Sequence, residues 1–163
     1  MRKLILILLA SVLILPAAAL AWKDSSGDGA LVVSNADGKL TLQGRGLIFG
    51  HFDHGTLTVV GDYKPDDINA LSSVSGAKMK VAGKNVVYTG NDVRFFFPGG
   101  QYSLIVDGTG IDISAVGNGK FSGIADDGTF AVDGGRAQLL TLLAGAVSYG
   151  AKASTNSLAK AGK

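Results

Sequence analysis

The residues of this chain that could do chemistry are few. They fall into one short segment and a set of Asp/Gly pairs. His51-Phe52-Asp53-His54 holds both histidines of the sequence. In an extended strand His51 and Asp53 project to one side, while His54 falls to the other or into a turn before Gly55. Three protein ligands and a water make a catalytic zinc site, so His51, Asp53 and His54 are the candidate metal ligands, with Asp62 as a further donor. Their spacing matches no zinc signature, and a polar turn accounts for the same residues.

Asp24 to Gly29, Asp37-Gly38, Asp92, Asp107-Gly108, Asp126-Asp127-Gly128 and Asp133-Gly134 offer carboxylates. Calcium needs six to eight oxygens, usually from several converging carboxylates, and it is the one cofactor these segments suggest; otherwise no cofactor is expected. Turn chemistry is the competing reading, because Asp bonds backbone locally and Gly tolerates left-handed geometry. For glycoside hydrolysis the closest carboxylate cluster is Asp126, Asp127 and Asp133. A raised-pKa acid needs an apolar setting, whereas these read as an exposed turn. No Ser stands in a Gly-x-Ser-x-Gly elbow, and no Gly-rich phosphate loop with its Lys is present. A hydrolase is therefore the weakest of the functional readings. Sugar binding would use an aromatic in a loop, for which Tyr63 beside Lys64-Pro65 is the best placed. Tyr63, Asp126 and Asp127 are thus the candidate ligand-binding residues.

The composition says what must position these groups. The chain has 163 residues, 47% hydrophobic and 17% charged, with a formal net charge of +2. Glu is absent, so all 13 acidic residues are Asp, and all 24 glycines lie beyond residue 26. Helical bundles draw on Glu and avoid this much Gly, so that class is excluded. With no Cys, a disulfide scaffold and a thiol nucleophile are excluded too. No clustered basic surplus marks a nucleic-acid partner.

Met1-Arg2-Lys3, the apolar run from Leu4 to Leu15, Pro16 and Ala19-Leu20-Ala21 have the three-part layout of a secretory signal peptide. Residues 1–21 are read as that signal, cut before Trp22. The alternative is an uncleaved anchor, and a membrane partner is expected only in that case. Residues 22–29 read as a flexible lead-in, 30–144 as a single β domain and 145–163 as a disordered basic tail with Lys152, Lys160 and Lys163.

Within the domain, short apolar runs alternate with Gly/Asp/Asn turns every eight to twelve residues or so, the rhythm of an all-β fold. Leu40 and Leu42, Ala77, Met79 and Val81, Tyr102, Leu104 and Val106, Ile111 and Ile113, and Phe130 and Val132 form successive inward sets. Asp37-Gly38 reads as a hairpin turn. Leu47–Phe52 and Val93–Phe97 are apolar on both faces, which places them in the middle of a sandwich or barrel wall, with one face meeting a partner as the alternative. The fold class is all-β, an antiparallel sandwich or barrel-like domain of about ten short strands, with a β-solenoid as the alternative. Asp66 to Leu71 could make one helical turn, and Ala137 to Ala144 either a last strand or a short helix. Gly44-x-Gly46 followed by Gly55, and Gly108-x-Gly110 followed by Gly119, share a spacing of nine and suggest two copies of a hairpin-like unit.

The stretch Arg94-Phe95-Phe96-Phe97-Pro98-Gly99-Gly100-Gln101-Tyr102, followed by Gly108-Thr109-Gly110-Ile111-Asp112-Ile113-Ser114-Ala115-Val116-Gly117, resembles a group of small exported Gly-rich bacterial β-proteins of uncharacterised function. Gly44-Arg45-Gly46, Gly55-Thr56-Leu57-Thr58-Val59 and Asp126-Asp127-Gly128-Thr129 are similar to the same group's other marks. The resemblance implies an exported or envelope role and transfers no functional residue. The expectation is a non-enzymatic structural or interaction module of the cell envelope or extracellular space. Its partner would be a cell-wall polymer or another copy joined through sheet edges. A calcium- or carbohydrate-binding module is the alternative.

Overall fold

The computed structural model describes residues 28–61 and 73–150. They form one open antiparallel sheet of six strands: β1 (Gly29–Val59), β2 (Ser73–Ala82), β3 (Asn85–Phe97), β4 (Gln101–Val132), β5 (Gln138–Leu139) and β6 (Val147–Tyr149). The all-β, antiparallel expectation holds. The strand count does not: instead of about ten short strands, β1 and β4 run for 31 and 32 residues. Every pairing is antiparallel, so the solenoid alternative, which stacks parallel coils, does not describe the chain.

The two long strands pair with each other twice. Leu31 faces Val132 across one edge and Ala115 across the other; Leu42 faces Phe121 and Leu104 in the same way. The two registers lie seventeen residues apart, so the β1–β4 ribbon winds back onto its own edge after each seventeen residues. Split at this winding, the sheet runs from β2 through β3 to residues 46–59. It continues through residues 101–117 and 29–45 to residues 118–132, whose outer edge carries β5 and β6. The coil brings the inner faces of β1, β3 and β4 onto one core that includes Leu31, Leu40, Ile48, Phe52, Leu57, Leu104, Ile111 and Phe121.

Glycine makes so tight a coil feasible. Gly90, Gly55, Gly108 and Gly38 pair in succession across four strand segments. A Cβ on Gly108 would lie 2.1 Å from the His54 carbonyl oxygen. A second corner pairs Gly46 with Gly117, whose φ angles of +132° and +139° belong to glycine alone. The matching Gly spacings in the sequence are therefore not two copies of a hairpin unit. Gly44 faces Gly119, Gly46 faces Gly117 and Gly55 faces Gly108, so the spacing records the register of one ladder.

The expected turn at Asp37-Gly38 is absent, because β1 runs straight through it, and β4 runs through Asp107-Gly108 and Asp126-Asp127-Gly128 likewise. What these segments mark is bulges and bends. Asn35 and Asp92 have φ near +50°, and the inward set changes phase there, from Val33 to Ala36 in β1 and from Tyr88 to Val93 in β3. Asp133-Gly134 is a true turn, as is the two-residue Gly83-Lys84 link between β2 and β3. Ala137–Ala144 combines both forms read from its sequence, with Gln138–Leu139 as strand and Leu140–Leu142 as a 3₁₀ turn.

The C-terminal expectation is corrected in part. Val147–Tyr149 pairs with Gly119–Phe121, and Tyr149 is fully buried, because its ring fills the space over Gly119 where no Cβ intervenes. The signal segment, most of the lead-in, Asp66 to Leu71 and residues 151–163 lie outside the described residues.

Candidate functional site

Bulges in neighbouring strands set out a polar line on the outer face. His51 and Asp53 do share one side of β1, with His51 Nε2 3.7 Å from Asp53 Oδ1. The nearer partner is Asp92, which the sequence offers as a calcium carboxylate and not as a partner of His51: raised on its bulge in β3, it places Oδ1 2.9 Å from the same nitrogen. Arg94 Nε lies 3.7 Å from that carboxylate oxygen. His54 follows the bulge and pairs its Nδ1 with Asn91 Oδ1 at 2.8 Å, so it does not join His51 and Asp53. No turn precedes Gly55; the strand continues. Among the described residues, no group of three or more His, Cys, Asp or Glu is arranged to hold a metal ion.

Several aspartates prove to be backbone staples. Asp37 accepts the Gly110 N–H at 2.8 Å, and Asp112 accepts that of Asn35 at 2.9 Å, closing one bulge from both strands. Asp127 accepts from Gly128 at 2.6 Å. Asp133 accepts from Ala30 at 3.0 Å and from Gly150 at 3.2 Å, so the first and last described strands leave the fold side by side. Local turn chemistry describes Asp127 but not Asp37, Asp112 or Asp133, whose bonds cross between distant segments. Asp126 and Asp127 are exposed at a bend in β4. Tyr63 and Asp62 lie outside the described residues.

The outer face also carries an apolar row that sequence reasoning placed in the core. Phe49 pairs with Phe96 on one side and Ser114 on the other, and Ser114 pairs with Val32. Ile48, Phe52, Val93 and Phe95 point inward, but Phe49 and Phe96 are 41% and 39% exposed. One step along the strands, a polar row runs parallel to it: Arg94 pairs with His51, and His51 with Asp112. The signal that could have found both rows is the alternation inside the two doubly apolar segments, since residues 47, 49 and 51 share a face opposite 48, 50 and 52.

Tyr102 and Tyr149 are buried together against Gly44 and Gly119, one phenol donating to the other. Burial raises both hydroxyls above the usual tyrosine range; the shared bond opposes that rise at Tyr102 and adds to it at Tyr149. Among the described residues, no buried side-chain nitrogen or oxygen lacks a hydrogen-bond partner.

No family model matches this chain, and comparison with curated proteins and with solved structures finds no match.

Proposed function

We propose that this chain is an exported β domain acting as a structural or interaction module of the cell envelope or extracellular space. The leader-like sequence of residues 1–21 supports export. So does the resemblance carried by residues 94–102 and 108–117. The observation that carries the interaction reading is the outer face of β1 and β3. Two half-exposed phenylalanines stand beside a line of hydrogen-bonded His, Asp and Arg side chains, the aromatic centre and polar rim of a recognition surface.

Of the alternatives, carbohydrate binding gains from the paired apolar and polar rows. Calcium binding does not, because Asp37, Asp112, Asp127 and Asp133 each turn an oxygen to a backbone N–H. The test is fractionation of producing cells with N-terminal sequencing of the product. A product in the envelope or medium beginning at Trp22 is expected. A cytosolic chain retaining Met1 would overturn the reading.

A further inference from the structure

We infer that the outer face around Phe49 and Phe96 binds an uncharged glycan chain lying across the strands, an assignment that rests on the interaction reading above. The geometry is that of two parallel tracks. The apolar track runs Phe96, Phe49, Ser114, Val32 across four neighbouring strand segments, about 14 Å at the usual strand spacing. The polar track runs Arg94, His51, Asp112 beside it, offset by two residues, or about 7 Å along each strand.

A pyranose chain has the matching anatomy. Its C–H faces are apolar and stack on aromatic rings, while its hydroxyl edges need groups that both donate and accept. Ser114, the small polar residue of the apolar track, is buried between Phe49 and Val32. The polar groups are held in place before any ligand arrives. Asp92 fixes His51, Arg94 lies against Asp92, and Asp112 is tied to the Asn35 N–H. Such preorganisation lowers the ordering cost of binding.

Charge selects among polymers. Among the described residues of these rows, Asp53, Asp92 and Asp112 stand against one guanidinium, that of Arg94. That balance repels phosphate- or sulfate-bearing chains and anionic lipid, which leaves glycans without anionic groups as the ones the stacking rows can hold.

The test is depletion of the full chain from solution by microcrystalline cellulose and by chitin, with soluble dextran sulfate as the anionic comparison. Retention by at least one neutral glycan, with none by dextran sulfate, is expected. Phe49→Ala/Phe96→Ala should weaken retention about tenfold or more, as truncating the anchors of a binding face does. Arg94→Gln should weaken it several-fold, and Ile124→Ala, an exposed apolar residue elsewhere on β4, should not change it. Thermal melts check that each variant folds. If the double alanine variant does not, Arg94→Gln and Phe49→Ser carry the test. The inference fails if neither neutral glycan retains the chain, if folded face variants bind as the parent does, or if dextran sulfate binds equally well. It also fails if light scattering shows a dimer that the face variants dissolve, since the face would then belong to a second copy. None of these outcomes bears on where the protein is located, so the assignment can fail while the export reading stands.

Discussion

The edge strand β2 and the coiled pair β1–β4 carry the same alternation of side chains and meet different fates. In β1 and β4 the inward residues Leu40, Leu42, Leu104 and Val106 are wholly buried, because each strand has a paired neighbour on both edges and a facing wall across the coil. In β2, Ala77 is half-buried, but Met79 and Val81 remain 44% and 50% exposed, although the residues opposite them, Tyr88 and Val86, are buried. Among the described residues β2 pairs on one edge alone. The difference teaches that a period of two says which residues share a face, while burial requires that something cover the face. Lys78 and Lys80, with the Gly76 bulge, are of the kind that disfavours edge-to-edge pairing.

The contrast can be broken by substitution, beginning where the effect is largest. Phe52→Ala empties a fully buried site in the coil and should cost about 3–5 kcal/mol in denaturant unfolding. Gly117→Ala should cost about 3 kcal/mol or more, since its φ is +139° and the new methyl would sit 2.1 Å from the Arg45 carbonyl oxygen. Gly99→Ala, with nothing within 4 Å, should leave the melting temperature nearly unchanged.

Tyr149→Phe strips the buried Tyr102 hydroxyl of its partner and should cost about 1–3 kcal/mol, much of which Tyr102→Phe/Tyr149→Phe should restore. The same pair sets an alkaline limit. Both phenols stay protonated in the fold past the pH near 10 at which tyrosines of an unfolded chain ionise. Their contribution is complete below about pH 10 and declines above it, and a pH series of melts should show the double Phe variant losing less. Smallest of all, Met79→Ala in β2 should change stability by no more than about 0.5 kcal/mol, despite its place in the same alternating pattern. A cost as large as that at Phe52 would mean that the inner face of β2 is covered.

Much of the fold was legible in the residues. The all-β class, the antiparallel pairing and most inward sets follow from alternation, and Leu40, Leu42, Tyr102, Leu104, Val106, Ile111, Ile113 and Phe130 are indeed buried. The strand count was not legible. Asp-Gly reads as a hairpin turn, yet Gly38 and Gly108 meet as neighbours inside long strands, and only a partner segment some seventy residues away makes that bend favourable. The burial of Tyr149 was hidden for a similar reason. A single aromatic in a small, polar segment has nothing local to pack on, and its seat is the bare backbone of Gly119.

The candidate site was legible only in part. His51 and Asp53 share a side as alternation requires, but Asp92 and Arg94 reach them through a bulge and a register that lie on another strand.

The central claim is that the first half of β1 pairs with two different parts of β4 at once. The chain has no native cysteine, so introduced pairs test it cleanly. Thr41 faces Ile105 across one edge and Ser122 across the other, and directly opposed residues of antiparallel strands lie within disulfide reach. Thr41→Cys/Ile105→Cys and Thr41→Cys/Ser122→Cys should both oxidise to intramolecular disulfides in the folded protein, measured by thiol titration and peptide mapping. If one pair closes while the other remains reduced in a chain that still melts cooperatively, the doubly registered coil is contradicted.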